Sequence, residues 1–466
     1  MRFPRSSPEK PCSVPPAGRS DAPPIRVTGL TGDRRSRRAL RGAAAASALT
    51  AAGLAAACGA PAQEAEVLRA APLNVPAGDP RAAARGDTAF GLDVLDAWCR
   101  KDPSANVVLS PSSVASGLGM VYLGAKGETA RTMARALHLP GGGAGSADPA
   151  GALPALRARD QALRGLNGKN VTVSTTDQVW SDKALKPDDA YLSRVATGYG
   201  AVLKQLDIRA DPEGARRTIN DGVERATQGK ISDLLPSGAV DDDTGWVLTD
   251  ATYLKARWAG EFKRSETAPE RFTTAAGRTI RTPMMSRGGT YGYARARGWT
   301  AVDLPYVGGR LSMTALLPDA PRTAKPQAQA RPACPAIDAR AIGEITAALA
   351  PERVELEIPK VELRAKADLR PILTGLGMGS LFTAPDLTGL SPKATRLSFV
   401  VHAATLLVDE KGTEAAAATG SGVQAGSAPA PAPREVTFDR PYLLLVRDVR
   451  TGEPLFLARV ADPSRS

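Results

Sequence analysis

Histidine is the side chain that hydrolytic catalysis most often requires, and this chain has two, His138 and His402. His138 follows a helical pattern, and a cation at the end of a helix is favourable. His402 lies in the apolar stretch FVVHAATLLV, which is typical of a buried strand. A hydrolase triad needs a histidine that a carboxylate orients and that contacts a nucleophile. We interpret both histidines as structural and expect the protein not to be an enzyme.

Sequence motifs of other catalytic sites are absent as well. The chain contains no G-x-S-x-G, H-E-x-x-H or C-x-x-C pattern and no phosphate-binding loop. We therefore expect no metal site and no cofactor. A serine hydrolase that uses lysine as its base remains an alternative.

The four cysteines do not form a disulfide framework. Cys99 lies in FGLDVLDAWCR, whose apolar residues recur at helical spacing, and we expect it to pack as a small hydrophobic residue. Cys334 lies in a loop rich in proline, alanine and glutamine. An exported protein permits a bond between Cys99 and Cys334, so this pairing stays open.

The positive charge is concentrated at the N-terminus. Of the net charge of +12, residues 1–58 contribute +7, from ten basic and three acidic side chains. The remainder carries +5 and shows no basic patch interleaved with aromatic residues. We expect no binding to nucleic acid.

Residues 1–58 end in an export signal. The stretch RRSRRALRGAAAASALTAAGLAAAC has an arginine-rich start and a small apolar core that is too short to span a bilayer. Ser36–Leu40 resembles a twin-arginine motif, and AAAC resembles a lipoprotein cleavage box with Leu54 one position early. Lipidation at Cys58 and plain cleavage near Ala57 are both open. We expect an extracellular or cell-surface protein that touches a membrane only through such an anchor.

The elements that follow indicate a single α+β domain. Residues 59–85 are rich in alanine and proline, which is typical of a flexible tether. Helical patterns dominate the first part of residues 86–463 and strands the last part, which ends in a hairpin turning at Arg450–Glu453. Without a βαβ rhythm, helices packed on mainly antiparallel sheets are predicted.

One stretch of the strand-rich part has a long middle section of small residues. VDEKGTEAAAATGSGVQAGSAPAPAPREVTFDRPY, from Val408 to Tyr442, runs from charged residues through four alanines into glycine, serine and proline. A passive linker or an alanine-rich helix would both account for this composition.

Several motifs resemble one family. NVVLSPSSVASGLGMVYLGAKGET, Asn106–Thr129, resembles the N-terminal signature of serpins almost position for position. INDGVERATQGKISDLLP, LTDATYLKARWAGEF, TPMMS, VDLPYVGGRLSMTALLPD, EIPKVEL and FDRPYLLLVRDVRTGEPLFLARVADP follow in the family's order. The resemblance covers about Thr88 to Pro463.

The resemblance implies an inhibitory serpin, here with export motifs typical of bacteria. Such a protein is a monomer that offers an exposed reactive-centre loop, about residues 410–435, to a serine or sometimes a cysteine protease. Cleavage leaves an acyl-enzyme, and the freed loop segment inserts into the large sheet. The protease is held in a covalent 1:1 complex.

The family hinge matches DEKGTEAAAATG. Thr413, Ala415 and Ala417 share one face of the future strand, and Glu414, Ala416 and Ala418 share the other, so the inward face carries small groups. Gly412 gives the pivot free dihedral angles. The hinge residues implied by the resemblance are Glu410, Lys411, Gly412, Thr413, Glu414, Ala415, Ala416, Ala417, Ala418 and Thr419.

Two counts place the reactive bond differently. Counting forward from Glu410 gives Gly426–Ser427, which we favour because the inserted length is mechanically constrained. Counting backward from Phe438 gives Ala430–Pro431, whose proline makes a poor substrate bond. The alternatives are Val423, Gln424, Ala425, Ala428 and Ala430. None of these residues is arginine or lysine, which favours an elastase- or subtilisin-like target.

The resemblance also implies a cluster of side chains at the point where the large sheet opens. Its members are Ser110, Ser113, Asp250 and His402. Serpins usually have asparagine at the position of Asp250. A carboxylate beside an imidazole predicts that sheet opening depends on pH between about 5 and 8.

Two other functions remain open. The first is a serpin fold whose loop is only a substrate, with a binding or storage role, which the extra loop length favours. The second is an exported hydrolase. A detergent-resistant complex with a protease distinguishes the inhibitor from both.

Overall fold

The structure is a computed structural model that describes residues 63–140, 148–168, 171–319, 334–394, 396–413 and 432–465. Among these residues the helices are α1 (Pro80–Lys101), α2 (Pro111–Tyr122), α3 (Gly127–Ala136), α4 (Leu153–Arg164), α5 (Asp189–Tyr199), α6 (Pro212–Ala226), α7 (Ala339–Ala347) and α8 (Arg370–Leu373).

The strands of the described residues are β1 (Glu66–Leu68), β2 (Val107–Leu109), β3 (Val171–Thr175), β4 (Gln178–Asp182), β5 (Leu203–Leu206), β6 (Trp246–Arg257), β7 (Ala268–Thr273), β8 (Thr279–Ala296), β9 (Trp299–Pro305), β10 (Leu311–Pro318), β11 (Ala350–Pro359), β12 (Val361–Asp368), β13 (Phe399–Val408), β14 (Gly412–Thr413), β15 (Arg434–Thr437), β16 (Tyr442–Asp448) and β17 (Pro454–Val460).

The strands form two large sheets. Sheet A has the order β1-β5-β4-β6-β13-β12, and both β3 and β14 also pair with β6. Sheet B has the order β15-β11-β8-β9-β10-β16-β17-β2, with β7 beside β8. Most neighbouring strands are antiparallel; the parallel pairs are β6–β13, β4–β5 and β11–β15. The expected α+β fold is confirmed.

Side-chain alternation assigns the two faces of sheet A. Leu248 and Val400 pack into a core with α1–α5, which defines the inner face. Val247 and Val401 pack into a separate core with Ile219 of α6, which defines the outer face. Because both faces are covered, β6 is buried from Trp246 to Leu254. Towards its C-terminal end, the inner face packs on sheet B instead.

Helices α1 and α2 begin at local capping signals. The side chain of Asp79 accepts a hydrogen bond from the Arg81 N–H ahead of α1, and Pro80 occupies the first helical position. Ser110 caps α2 in the same way, accepting from the Ser113 N–H. Ser110 thereby fixes the start of α2 against the centre of sheet A.

The N-terminal part of the domain differs from the predicted tether over 59–85. β1 pairs with β5 at the edge of sheet A, and α1 begins at Pro80, ahead of the expected boundary at residue 86. The sequence did not indicate the Asp79–Pro80 cap or the three-residue strand β1, because both lie in an alanine- and proline-rich stretch without a periodic pattern. The export signal of residues 1–58 lies outside the described residues.

Cys99 and Cys334, whose pairing the sequence did not decide, are bonded to each other. Cys99 on α1 and Cys334, which precedes α7, form a disulfide with their Cα atoms 5.8 Å apart. This corrects the expectation that Cys99 packs as a free hydrophobic residue. The pairing arises because the segment that leads into α7 passes beside the C-terminal half of α1.

Candidate functional site

The two central strands of sheet A separate at one end. β13 and β6 run parallel and pair from Phe399–Val247 to Thr405–Tyr253. β6 then continues to Arg257 and β13 to Val408 without pairing to each other. We call this gap between the two strand ends the opening.

The start of the predicted hinge occupies the opening. After β13 the chain turns at Asp409, whose N–H donates to the Gly412 carbonyl at 3.0 Å. Gly412 and Thr413 form β14, which pairs antiparallel with Arg257 and Ala256 of β6. The first two hinge residues thus already extend sheet A at this end.

Gly412 is required by the close approach to β6. Its φ is +149°, a conformation that residues with a side chain rarely adopt. A Cβ at this position would lie 2.2 Å from the carbonyl oxygen of Ala256. The hinge can enter the opening because this residue is glycine.

Thr413 points to the inner face of sheet A and is 1% exposed. Its hydroxyl oxygen lies 2.7 Å from the hydroxyl of Tyr306. The Tyr306 ring stacks on Trp258, with 4.5 Å between ring centroids. The backbone N–H of Trp258 donates to the Lys411 carbonyl at 2.9 Å. Trp258 therefore holds the backbone of the hinge, and Tyr306 holds the Thr413 side chain.

Glu410 anchors the residue before this strand. Its carboxylate accepts from the Lys360 ammonium at 3.0 Å and from the Thr267 hydroxyl at 3.2 Å. Burial opposes ionisation, but the Glu410 backbone N–H and the Lys360 charge keep the pKa of this carboxyl below its usual value. The Glu410 carbonyl also accepts from the Phe262 N–H at 2.8 Å.

The two ends of the predicted loop, about 410–435, are paired into the sheets. Gly412 and Thr413 pair with β6 of sheet A, and Arg434 and Glu435 belong to β15 at the edge of sheet B, where both side chains stay exposed. Backbone pairing at both ends shortens the loop that the family spacing predicts. Glu414–Thr419 and every candidate reactive bond from Val423 to Pro431 lie outside the described residues.

The second predicted cluster lies on the inner face at the centre of sheet A. His402 on β13 and Asp250 on β6 are neighbours in the register, and both are fully buried. Nδ1 of His402 lies 2.5 Å from Oδ1 of Asp250. Nε2 of His402 lies 3.3 Å from the Ser110 backbone nitrogen at the start of α2.

These contacts fix the tautomer of His402. The backbone N–H of Ser110 can only donate, so Nε2 of the imidazole accepts and carries no proton. The proton therefore resides on Nδ1, which donates to Asp250. Protonation of Nε2 would break the contact with α2 while it strengthens the contact with Asp250.

Ser113 does not join the His402–Asp250 pair directly. Its hydroxyl donates instead to Asp177, which lies between β3 and β4. Asp177 also borders a cavity of about 430 Å³ that Ser116 and Tyr199 help to line. The cluster therefore contains a second carboxyl group that the sequence did not indicate.

Within this cluster, the pKa of the Asp177 carboxyl is clearly shifted. Burial of the carboxyl raises its pKa well above the usual value, and the negative charge of Asp250 raises it further. The Ser113 hydroxyl and the charge of Arg159 on α4 oppose the increase.

We expect Asp177→Asn to stabilise the protein at neutral pH. The unfolded carboxyl ionises near 3.8, but the folded one holds its proton to higher pH. Stability contributed by Asp177 is therefore present at low pH and is lost as pH rises through the raised pKa. The gain at pH 7 should be on the order of 1 kcal/mol and should vanish near pH 4. Thermal unfolding from pH 4 to 8 measures it.

The matched control is Asp243→Asn in an exposed turn. This substitution should leave the pH profile of the wild type unchanged. Equal stability of Asp177→Asn and wild type at pH 7 would contradict a carboxyl group at position 177 that is costly to ionise in the folded protein.

The prediction that the Asp250–His402 pair makes sheet opening depend on pH can be tested separately. A protonated His402 holds Asp250 more strongly, and this contact joins β13 to β6, so sheet A should open more slowly at pH 5 than at pH 8. In Asp250→Asn the imidazolium loses its partner, and the pH effect should shrink. A change of about fivefold corresponds to one hydrogen bond of ~1 kcal/mol.

The measurement is the ratio of variant to wild-type inhibition rate at each pH with one protease. The ratio cancels the pH dependence of the protease itself. Asp177 and Arg159 also face this pair, so Asp177→Asn is measured in parallel. A constant ratio between pH 5 and 8 would show that the pair has no such role.

Sequence reasoning missed four residues of the site, namely Asp177, Trp258, Tyr306 and Lys360. The last three stand within matched motifs, YLKARW, DLPYVGG and EIPKVEL, and an unassigned aromatic or basic residue there is the signal available. Asp177 lies within the stretch VTVSTTDQVW, where nothing marks it as a member of this cluster.

The described residues contain no cluster of three or more His, Cys, Asp or Glu side chains able to hold a metal ion. No helix within the same ranges is long and apolar enough to cross a membrane.

Comparison with known proteins supports the fold and the order of the motifs. The family model described as serpin (serine protease inhibitor) matches residues 85–463. An uncharacterized serpin-like protein of Thermococcus kodakarensis is 32% identical over 361 residues, which is 77% of this chain and 81% of the relative. The leukocyte elastase inhibitor of Bos taurus is 31% identical over 389 residues, which is 81% of this chain and 98% of the relative.

A crystal structure of maspin has a TM-score of 0.72 at 22% identity and covers 82% of this chain and 99% of maspin. This likeness concerns the fold alone. The family match and the identities to these relatives, which extend over most of the chain, show that the chain belongs to the serpin family.

Proposed function

We propose that the protein inhibits serine proteases by loop cleavage, trapping of the acyl-enzyme and insertion of the loop into sheet A. The observation that carries this proposal is the opening between β6 and β13, with Gly412 and Thr413 already paired to β6. In the part of the chain that the structure describes, the edge of β6 that faces β13 stays free at Lys255 and Leu254, opposite the next two loop residues, and further insertion must part β6 from β13.

The register predicts how the inserting strand would meet β6. Thr413 lies opposite Ala256, so continued antiparallel pairing would bring Glu414 opposite Lys255 on the outer face. Lys255 is only partly buried, and opposite charges across a ladder stabilise the pair. Ala415 and Ala417 would enter the inner face, where close packing in the core favours small side chains.

The same register brings Thr419 opposite Asp250. Among the described residues, Oδ2 of Asp250 has no hydrogen-bond partner although it is buried. The hydroxyl of Thr419 could donate to it, and an unsatisfied buried oxygen costs about 1–3 kcal/mol. Because insertion also moves β13 and His402 away from β6, Thr419 would take the place of His402 as a hydrogen-bond partner of Asp250.

The composition of the loop suggests the class of protease. No residue from Val423 to Ala430 is arginine or lysine, and small side chains dominate. A relative that is named leukocyte elastase inhibitor agrees with this composition. We infer an elastase- or subtilisin-like target, a covalent 1:1 complex, and no turnover by the protein alone.

Export is part of the same proposal. The signal in residues 1–58 would deliver the inhibitor to the outside of the cell, where proteases with broad specificity act. A lipid on Cys58 would retain it at the cell surface, whereas cleavage near Ala57 would release it.

The deciding experiment mixes the protein with elastase or subtilisin and separates the products under denaturing conditions. We expect a detergent-resistant band with the summed mass of protease and cleaved inhibitor. Complete cleavage near residue 426 without that band would instead indicate a substrate-only loop. Hydrolysis of small esters by the protein alone would indicate a hydrolase.

A further inference from the structure

The segment ahead of α1 crosses the edge of sheet A and contacts both of its faces. We name residues 63–79 the N-terminal strap. The strap precedes the residues that the family model matches, which begin at residue 85.

The strap begins against α6, on the outer face. The side chain of Gln63 donates to the Asp211 carbonyl at 2.8 Å and accepts from the Asp207 N–H at 2.9 Å. Its backbone carbonyl accepts from the Thr218 hydroxyl of α6 at 2.8 Å. Ala65 packs against the outer-face core.

The strap then adds a strand to the sheet. Glu66–Leu68 pairs antiparallel with Leu203–Gln205 of β5, the strand that otherwise forms this edge. Leu68 packs against the inner-face core. The strap thus passes from one face to the other around β5.

The strap ends on the helices of the inner face. The Leu73 N–H donates to the Thr197 hydroxyl of α5 at 2.7 Å. The Gly78 N–H donates to the Pro154 carbonyl of α4 at 2.8 Å, and Val75 packs on the inner-face core. The edge of sheet A is therefore fastened to α6 on one side and to α4 and α5 on the other.

If the proposed function is correct, loop insertion strains the contacts of the strap with β5 and with the neighbouring helices. A new strand between β6 and β13 moves them apart by about 4.8 Å. β4 is bonded to β6 and β5 to β4, so both must move with β6. Leu156 of α4 and Tyr191 of α5 are packed in the core with α1 and α2. The strap joins the moving strand β5 to those helices.

We propose that the N-terminal strap holds sheet A closed and slows its opening, so that an intact loop does not insert before a protease cleaves it. Loss of the strap contacts converts the active form into an uncleaved form with its loop inserted. This inference rests on the proposed function, but its test does not.

The first test weakens the strap in the full-length chain with Gln63→Ala and Thr197→Val together. The control is Glu64→Ala, an exposed residue of the same segment. Hydrogen–deuterium exchange of the β6 and β13 amides reports sheet opening without any protease. We expect opening, and conversion at 37 °C to a heat-resistant uncleaved form, to become about ten- to hundredfold faster in the double variant.

The second test strengthens the strap and does not depend on a weakened variant folding. Val67 and Lys204 face each other in the β1–β5 register, so Val67→Cys with Lys204→Cys can be bonded across the edge. The bonded form should open and convert more slowly than wild type, and reductant should restore the wild-type rates. Wild type with reductant controls for Cys99–Cys334.

Equal exchange and conversion rates in wild type, the weakened variant and the bonded variant would overturn the strap proposal. Failure of the inhibitory function has a different signature, because fresh wild type would then form no covalent complex with protease. Exchange rates would still rank the variants in that case.

Discussion

Thr413→Arg is expected to convert the protein from an inhibitor into a substrate. Thr413 is the first loop side chain to enter the inner face, where it is 1% exposed and contacts Tyr306. An arginine there would bury an unpaired guanidinium at a cost of several kcal/mol. Insertion that starts at this residue would then be slower than deacylation of the protease. We expect more than nine-tenths of the covalent complex to be lost, while loop cleavage continues.

The measurement is the yield of detergent-resistant complex with elastase or subtilisin. The control is Thr383→Arg, which places the same side chain at an exposed threonine outside the hinge. Thr413→Val tests size without charge and should retain most of the complex. Undiminished trapping by Thr413→Arg would show that inhibition does not require insertion through the opening.

Cleavage of the loop is expected to raise the melting temperature of the protein by roughly 10–25 °C. About thirteen residues, from Glu414 to Gly426, would join the ladder of sheet A, each gaining a net hydrogen bond of roughly 1 kcal/mol. Half of that total already equals the stability of an ordinary domain, about 5–15 kcal/mol. The inserted strand would also separate β6 from β13 and pair with both.

Calorimetry of intact and nicked protein measures this change. The nick can be made with a protease that cuts within residues 423–430 and is then removed. Nicked Thr413→Arg serves as the control, since it should melt near the temperature of the intact protein. Equal melting temperatures for intact and nicked wild type would exclude insertion and with it the proposed mechanism.

The hinge could be predicted from sequence because its requirements are local. A strand that is solvated before cleavage and buried afterwards needs small side chains at alternate positions, and Thr413, Ala415 and Ala417 have them. Gly412 was expected as a pivot with free dihedral angles. The structure adds the reason that its Cβ would meet the Ala256 carbonyl.

The environment of the hinge could not be predicted, because its contacts join distant parts of the chain. Thr413 meets Tyr306 across 107 positions, and Glu410 meets Lys360 across 50. No periodic pattern marks such pairs in advance. Only the packing of sheet A against sheet B brings them within hydrogen-bond distance.

Long-range packing also determined the strand at the N-terminal edge of sheet A and the bond between the two cysteines. Residues 59–85 have the composition of a tether, and their own propensities favour no strand. Glu66–Leu68 becomes a strand because β5 offers an unpaired ladder edge, and Cys99 meets Cys334 because α1 passes beside the segment before α7. The sequence by itself determined the family, the α+β class and the chemistry of the hinge, which depend on motifs and side-chain size. Tertiary structure alone decided the opening, the Asp177–Asp250 pair and the strap, because each depends on groups that are neighbours in space and not along the chain.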